Sequence, residues 1–187
     1  MKPFAGQIMR MRVIAGKLGG RFFDSPDTTT THPMGERIKG SLFNMLGDLD
    51  GQTVLEPFAG SGALSFEALS RGAASALLLE RDKRAQQAIA DNITTLGLTK
   101  KATLVKANCR SWSDTNLDAQ FDLLLVDPPY HDMQLSTVAL LIRHLKPKGL
   151  MVLSYQGRGP APTVNGVVVV RTRLYGDAAL AFYRKAA

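Results

Sequence analysis

Short apolar runs alternate with stretches of helical periodicity from Thr53 onward, and this alternation restricts the possible folds more than any other feature of the chain. Strands that are separated by helices pair in parallel, so the sequence predicts an α/β fold with a mostly parallel, doubly wound sheet. Residues 167–170 and 179–183 follow each other without a helix, which predicts a closing antiparallel hairpin. The other predicted strands are 53–55, 76–79, 102–105, 122–126 and 149–154, and the predicted helices end near residues 70, 96 and 145.

The N-terminal part of the chain differs from this pattern. Residues 13–14 and 22–23 are apolar and flank three glycines, which predicts a short hairpin with glycine at its turn. Residues 33–46 carry apolar side chains at helical spacing, which predicts a helix. We therefore expect a small basic N-terminal extension, residues 1–50, attached to a main domain, residues 51–187.

The composition favours a polyanionic partner. Lys and Arg number 23 against 16 Asp and Glu, giving a net charge of +7, so nucleic acid is the expected partner, although many basic proteins bind none. The single Cys109 excludes an internal disulfide and is typical of a reducing compartment. Residues 1–11 lack a signal-peptide pattern and no run could span a bilayer, so we expect a cytoplasmic protein without a membrane segment. The scattered His32, His131 and His144 show no metal-ligand spacing, and we expect no metal.

The tetrapeptide Asp127-Pro128-Pro129-Tyr130 follows directly after the apolar run 121–126. It would lie at the carboxyl end of a buried strand, where open α/β sheets bind ligands. Asp127 can accept a hydrogen bond from an amine, the prolines fix the backbone and present a carbonyl, and Tyr130 offers a face for a flat base. The tetrapeptide would serve equally as an ordinary tight turn, so its meaning depends on the rest of the chain.

A glycine-containing loop, residues 56–62, follows the first strand of the main domain and opens a helix, which lets a ligand approach backbone N–H groups. A dinucleotide fingerprint would have Gly or Ala where this chain has Ser65. Glu80 ends the second strand and can accept hydrogen bonds from ribose hydroxyls. Asn108 could contact an adenine edge, and Cys109 would be a small wall residue rather than a nucleophile. The pattern predicts a ligand that carries a nucleoside.

In order and spacing, these strand-end residues resemble S-adenosylmethionine-dependent methyltransferases that modify exocyclic amines, which have a Rossmann-like fold. Nearly the whole chain from Arg12 resembles the bacterial 16S rRNA guanine-N2 methyltransferase family (RsmD-like). The segments that carry this closer resemblance are Arg12-Val13-Ile14-Ala15-Gly16-Lys17, Gly20-Arg21, Pro33, Arg37-Ile38-Lys39, Leu42-Phe43-Asn44, Phe58-Ala59-Gly60-Ser61-Gly62-Ala63-Leu64, Glu67-Ala68-Leu69-Ser70-Arg71-Gly72-Ala73 and Ala181-Phe182-Tyr183-Arg184.

The resemblance implies a monomeric enzyme that takes a methyl group from S-adenosyl-L-methionine and acts on 16S rRNA or the small ribosomal subunit. The implied catalytic residues are Asp127, Pro128, Pro129 and Tyr130. The implied cofactor-binding residues are Glu56, Phe58, Ala59, Gly60, Ser61, Gly62, Glu80, Arg81, Asn108, Cys109 and Asp127. The expected RNA-binding residues are Arg10, Arg12, Lys17, Arg21, Arg37 and Lys39.

Several positions depart from the family pattern. Glu56-Pro57 stands where the family has Asp and an apolar residue, and we expect cofactor binding to survive because Glu56 keeps the carboxylate one methylene further out. His32 replaces an Arg, Met34-Gly35 replaces a Thr pair and Gly40 replaces a Glu. These substitutions either alter contacts with RNA or cofactor, or are neutral drift.

Other functions share parts of this pattern. The tetrapeptide at Asp127 would also suit an amine methyltransferase acting on DNA adenine-N6, DNA cytosine-N4 or protein glutamine. A non-catalytic nucleic-acid-binding module would leave Glu80 and Asp127 without a purpose. A nicotinamide-dependent dehydrogenase is disfavoured by Ser65 and by the lack of a hydride-transfer partner.

Overall fold

The computed structural model describes residues 8–26 and 34–185. In the first of these ranges β1 (Arg10–Arg12) pairs antiparallel with β2 (Phe22–Asp24), so the predicted hairpin is confirmed, with its first strand ending just before Val13. Helix α1 (Glu36–Leu46) follows and ends at Gly47, whose φ of 75° suits glycine. The predicted start of this helix near Pro33, and the departure at His32, lie outside the described residues.

A seven-stranded sheet forms the centre of the molecule, in the order β5-β4-β3-β6-β7-β9-β8. Strands β3 to β7 are parallel, and β9 pairs antiparallel with β7 and β8, which confirms the predicted fold class and its closing hairpin. The strands are β3 (Thr53–Glu56), β4 (Ser75–Leu79), β5 (Ala102–Val105), β6 (Phe121–Val126), β7 (Leu145–Gln156), β8 (Val167–Tyr175) and β9 (Ala178–Lys185), and the helices are α2 (Ala63–Ser70), α3 (Lys83–Thr95), α4 (Cys109–Thr115) and α5 (Leu135–Leu141).

Two predicted boundaries were wrong. Helix α5 ends at Leu141 and continues only as a 3-10 turn to His144, while β7 already begins at Leu145. The physical reason is pairing within the sheet: Leu145 has extended backbone angles and is paired with Phe121 of β6, so the helical stretch must end before it. Helix α4 was missed altogether, since its seven residues are mostly polar and too few to show a period.

Successive residues along the strands pack into two hydrophobic clusters, one on each face of the sheet. Helices α2 and α3 cover the first face, whereas α4 and α5 cover the second. Val13, Phe23 and Phe43 of the N-terminal extension belong to the first cluster. The extension therefore shares a core with the main domain, and the division at residue 50 stays a prediction about function.

One buried carboxylate attaches the extension to helix α2. Glu67 is fully buried, and its oxygens accept hydrogen bonds from the N–H groups of Ile14, at 2.7 Å, and Ala15, at 3.1 Å. Arg71 Nε donates to the same carboxylate at 2.8 Å, and Lys39 Nζ lies 3.8 Å from it. These three donors and one ion-pair partner come from the hairpin, α1 and the end of α2, so Glu67 fixes three elements at one point.

Ser70, one turn further along α2, extends this attachment. Its hydroxyl donates to the carbonyl of Ala15 and accepts from the N–H of Leu18, and its carbonyl accepts from the N–H of Lys17 at 2.7 Å. A Cβ atom at Gly16 would lie 2.0 Å from the Ser70 carbonyl oxygen, so only glycine permits this close approach.

The prediction that Lys39 contacts RNA is wrong. Its side chain is 1% exposed, and its ammonium donates to the Arg12 carbonyl at 2.8 Å and faces Glu67. Burial lowers the pKa of Lys39, while Glu67 opposes that shift. Lys39 is a structural cation that joins α1 to the hairpin.

Glu67→Gln is expected to lower the free energy of unfolding by about 3–5 kcal/mol, because it leaves the buried Lys39 cation without its counter-charge. The double variant Glu67→Gln/Lys39→Met should recover part of that loss, since no buried cation then remains. Urea denaturation followed by circular dichroism measures both. The matched control is Glu36→Gln, which breaks an exposed ion pair with Arg12 and should hardly move the midpoint. Equal losses in the Glu67 and Glu36 variants would contradict this role.

Candidate active site at the carboxyl edge of the sheet

The strand order reverses at β3, whose neighbours are β4 on one side and β6 on the other. Chain segments that leave β3 and β6 diverge at such a switch point and open a cleft at the carboxyl ends of the strands. The loop after Glu56, Glu80 at the end of β4, Asn108 beyond β5 and Asp127 beyond β6 all lie along this edge. The topology thus brings together the strand-end residues that the sequence singled out.

Glu80 holds the glycine-containing loop in place. One of its carboxylate oxygens accepts from the N–H of Gly60 at 2.8 Å, and the other accepts from the N–H groups of Arg81 and Asp82, also at 2.8 Å. A carboxylate has room for about four hydrogen bonds, so about one position is left for a ligand hydroxyl. Glu80 therefore mainly holds the loop in place. It has fewer free acceptor positions than two ribose hydroxyls would need.

The loop itself is tightly constrained. Gly60 and Gly62 have φ angles of 53° and 78°, and a Cβ at Gly62 would lie 2.7 Å from the Phe66 ring. Gly62 N–H donates to the Ala59 carbonyl at 2.7 Å, and Ala59 N–H donates to the Leu79 carbonyl at 3.1 Å. Ala59 and Ser61 are buried, whereas Phe58 is half-buried and packs against the second core cluster.

Glu56 lies beneath this loop rather than in the open cleft. Its side chain is 2% exposed, and Oε2 accepts from the N–H of Ser65 at 2.9 Å. Burial raises the pKa of Glu56 to about 8, with Asp127 adding to the rise and hydrogen bonds from Ser65 opposing it. At neutral pH Glu56 is therefore mainly protonated, so the substitution at this position does not simply extend a charged carboxylate.

Asp127 and Tyr130 form the other half of the cleft. Asp127 is partly exposed at the end of β6, and burial raises its pKa to about 6 against a hydrogen bond from Ser154. The Tyr130 ring is 40% exposed, and its hydroxyl lies 2.7 Å from the hydroxyl of Ser154. The Pro129 carbonyl accepts from the N–H of Asp132 at 2.9 Å, so a tight turn begins within the tetrapeptide and ends at Asp132.

Ser154 was not among the predicted site residues. It lies two residues before the end of β7, within a strand that was predicted. Its hydroxyl is hydrogen-bonded to the Tyr130 hydroxyl and opposes the rise in the pKa of Asp127. A polar residue near the carboxyl end of a predicted parallel strand was the available signal.

Asn108 and Cys109 are held in defined positions by α4. The side-chain oxygen Oδ1 of Asn108 accepts from the N–H of Ser111 at 2.9 Å and caps the helix, which leaves the side-chain amide nitrogen for an adenine edge. Cys109 donates its thiol hydrogen to the Pro57 carbonyl at 2.7 Å. Burial raises the pKa of Cys109 to about 12, with Glu80 adding to the rise, so the thiol is protonated at neutral pH and is a poor nucleophile.

A cavity of about 570 Å³ adjoins these residues and brings Arg81, Asn108 and Cys109 together. Its remaining lining residues are Lys106, Ala107, Arg110, Gln134 and Thr137. Gln134 has a φ of 46°, a conformation that is strained for a residue other than glycine and is common at functional sites.

The expected RNA-binding residues divide into two groups. Arg10, Lys17 and Arg37 are exposed, and the Arg10 guanidinium lies 4.4 Å from the centre of the Phe22 ring. Arg12 is exposed as well but is paired with Glu36 at 2.8 Å. These cations remain candidates for contact with phosphates.

Arg21 has a structural role instead. Its guanidinium donates to the carbonyls of Thr95, at 2.6 Å, and Leu96, at 3.2 Å, at the carboxyl end of α3. A cation is favourable there because the last carbonyls of a helix lack partners. Arg21 is nevertheless exposed, so its contact with RNA stays a prediction, whereas the buried Lys39 leaves the predicted cluster.

Metal sites and membrane-spanning helices were sought in the described part of the chain. Within residues 8–26 and 34–185, no group of three or more His, Cys, Asp or Glu side chains could hold a metal ion. No helix in those ranges is long and apolar enough to cross a bilayer.

Comparison with known proteins gives consistent results. The family model described as conserved hypothetical protein 95 matches residues 11–184. The chain is 35% identical to a putative rRNA methyltransferase, YlbH, of Bacillus subtilis, over 94% of this chain and 99% of the relative. It is 29% identical to the ribosomal RNA small subunit methyltransferase D of Haemophilus influenzae, over 93% of each chain. The solved structure of a putative methyltransferase, yhhF, from Escherichia coli superimposes with a TM-score of 0.85, at 32% identity, covering 96% of this chain and 99% of that one.

The raised pKa of Glu56 leads to a pH-dependent stability. A carboxyl whose pKa is higher in the folded state stabilises the fold below its unfolded-state pKa, near 4.5, and that contribution is lost as the pH rises through about 8. Glu56→Gln should therefore reduce the decline in the free energy of unfolding between pH 6 and pH 9 by about 1 kcal/mol or more. Urea denaturation at both pH values measures it. The exposed-carboxylate variant Asp118→Asn should follow the wild type, and an unchanged slope in Glu56→Gln would contradict the assignment.

Proposed function

Because the chain belongs to the conserved hypothetical protein 95 family, the family of the ribosomal RNA small subunit methyltransferase D proteins, we propose that it methylates the exocyclic N2 amine of a guanine in small-subunit (16S) ribosomal RNA. It is a methyltransferase, and its cofactor is S-adenosyl-L-methionine. The observation that carries the proposal is Asp127, a carboxyl with a pKa near 6, beside an exposed tyrosine ring at the carboxyl edge of the sheet.

The residues of the β3 to β5 half fit the cofactor. Backbone N–H groups of the glycine-containing loop, the remaining acceptor position of Glu80 and the amide nitrogen of Asn108 are the groups proposed to bind it. Phe58, Arg81 and Cys109 would form the walls. When bound, the cofactor supplies a methyl group on a positively charged sulfur. Glu56 acts indirectly, by bonding the start of α2 under the loop.

Asp127 is proposed to activate the substrate amine. The lone pair of a guanine amine is delocalised into the ring, so the nitrogen is a poor nucleophile. Hydrogen bonds from its two N–H groups to the Asp127 carboxylate and the Pro128 carbonyl would localise that lone pair and orient it. With a pKa near 6, Asp127 is ionised at neutral pH and can accept the proton that the nitrogen releases, directly or through water.

Tyr130 and the exposed cations would place the RNA. The Tyr130 ring can stack on a base that has turned out of its loop, and the hydrogen bond to Ser154 fixes the ring. Arg10, Lys17 and Arg37 would meet phosphates. All the proposed site residues lie on one chain, so we propose that a monomer suffices and acts in the cytoplasm, where small subunits are assembled.

Asp127→Asn, which keeps the shape but removes the charge, should reduce methyl transfer to small ribosomal subunits by about a hundredfold or more. The affinity for S-adenosylmethionine, measured by calorimetry, should change little. The wild-type rate should fall as the pH drops through about 6, because protonated Asp127 cannot take the proton. The control is Asp132→Asn, an exposed carboxylate on the same loop. Turnover retained in Asp127→Asn would refute the proposed role.

Parallel assays with naked rRNA, assembled small subunits, DNA and a glutamine-containing peptide separate the proposed substrate from its chemical relatives. Methylation of DNA or the peptide in preference to rRNA would refute the substrate assignment while leaving the amine chemistry intact.

Arg10→Gln/Lys17→Gln should weaken binding to small-subunit RNA by about tenfold at moderate salt and reduce the slope of log affinity against log salt by about 1.4–1.8. Point variants are preferable to deleting the hairpin, because deletion would also remove the contacts with Glu67. Lys100→Gln/Lys101→Gln removes the same charge from the turn just before β5 and should leave the slope unchanged. A slope unaltered in both variants would place the RNA surface elsewhere.

A further inference from the structure

The two halves of the cleft divide the sheet between cofactor and substrate. The proposed cofactor residues follow β3, β4 and β5, whereas Asp127 follows β6 and its neighbour Ser154 belongs to β7. Beyond β7 the sheet continues through β9 to β8, its edge strand. The β7, β9 and β8 half of the sheet therefore adjoins the proposed substrate side of the cleft.

A row of paired residues connects the site to the edge strand. Ser154 is paired with Leu180 of β9, and Leu180 is paired with Arg173 of β8. Directly paired residues share a face of the sheet, and neighbouring strands lie about 4.8 Å apart. The backbone of Arg173 is thus about 10 Å from that of Ser154, whose hydroxyl contacts Tyr130.

Arg171 and Tyr175 share this face with Arg173, because side chains alternate along the strand. The Tyr175 hydroxyl is hydrogen-bonded to the hydroxyl of Ser41 in α1. Arg37 precedes Ser41 by one helical turn and so lies on the same side of α1. The β8 arginines and the start of α1 therefore belong to one continuous surface.

The charge of this surface is uncompensated. Arg37, Arg171 and Arg173 are all exposed. Within the described ranges, none of the three is among the ion pairs, which involve other cations. Asp177, the one carboxylate between residues 167 and 185, is paired with Arg158 at 3.4 Å.

We propose that Arg171 and Arg173, together with Arg37, form a contact surface for the RNA backbone next to the site where the target base enters. This surface, here called the β8 arginine surface, rests on the proposed function and extends the RNA contacts from Arg37 to an edge strand remote in sequence. Its role is to bind phosphates on the strand that carries the target base, so it contributes affinity and positioning rather than chemistry.

The charge favours RNA over a second copy of the chain. An antiparallel pairing of two β8 edges centred on Thr172 would place Arg171 of one copy against Arg173 of the other. Like charges facing each other across paired strands are destabilising. A phosphate backbone has the opposite charge and needs no pairing with the strand edge.

The test compares Arg171→Gln/Arg173→Gln with the matched variant Lys100→Gln/Lys101→Gln. The dissociation constant for small ribosomal subunits is measured at several salt concentrations, alongside methyl transfer, the affinity for S-adenosylmethionine and molar mass in solution. The β8 variant should bind about tenfold to a hundredfold more weakly, with a salt slope lower by about 1.4–1.8 and unchanged cofactor affinity. Adding Arg37→Gln should lower the slope further.

Equal binding by the β8 variant and the lysine control would overturn the inference. It would also be overturned if the wild type were a dimer that the β8 variant dissociated while its RNA affinity stayed the same. A wild-type protein that bound small subunits but methylated no rRNA would refute the proposed function, whereas the binding comparison would still decide the role of the β8 arginine surface.

Discussion

The buried Glu67 carboxylate is the contact on which the relation between the N-terminal hairpin, helix α1 and the main sheet depends. It accepts two backbone N–H groups from the hairpin and faces two cations, Lys39 and Arg71. A buried charge is tolerated only when its partners satisfy it, so none of these elements can move independently. Much of the basic N-terminal sequence that resembles a nucleic-acid-binding segment therefore serves to attach that segment.

Two carboxyl groups near the switch point of the sheet have different environments and hence different roles. Glu56 is sealed under the loop and mainly protonated at neutral pH, while Asp127 is partly exposed and ionised. Burial is the main cause of the raised pKa of Glu56, and the nearby Asp127 charge adds to it. Because Glu56 is neutral, Asp127 carries the negative charge beside the proposed substrate amine. The different degrees of burial of the two carboxyl groups cause this difference in charge.

Fold and site differ in how far local sequence determines them. The strands were predictable because a buried parallel strand is a short apolar run with a polar residue after it, as at Val126 and Asp127. Helix α4 was not predictable, because the sequence at Asn108 and Cys109 is equally typical of a loop. The environments of the cations were the least predictable, because nothing in the sequence around Lys39, Arg21 and Arg173 distinguishes them. Lys39 is buried, Arg21 binds the last carbonyls of α3, and Arg173 is exposed.

The resemblance of the chain to a known family implied the class of chemistry. By itself the sequence also determined the alternation of strands and helices and the strand-end positions of Glu80 and Asp127. These features depend on spacing along the chain, which period and turn residues record directly. Only the tertiary structure decided which charges are free, that Ser154 joins Tyr130, and that Arg173 of the edge strand lies in line with them. Such relations join residues far apart in the chain, and they arise from strand order and burial, which no local pattern encodes.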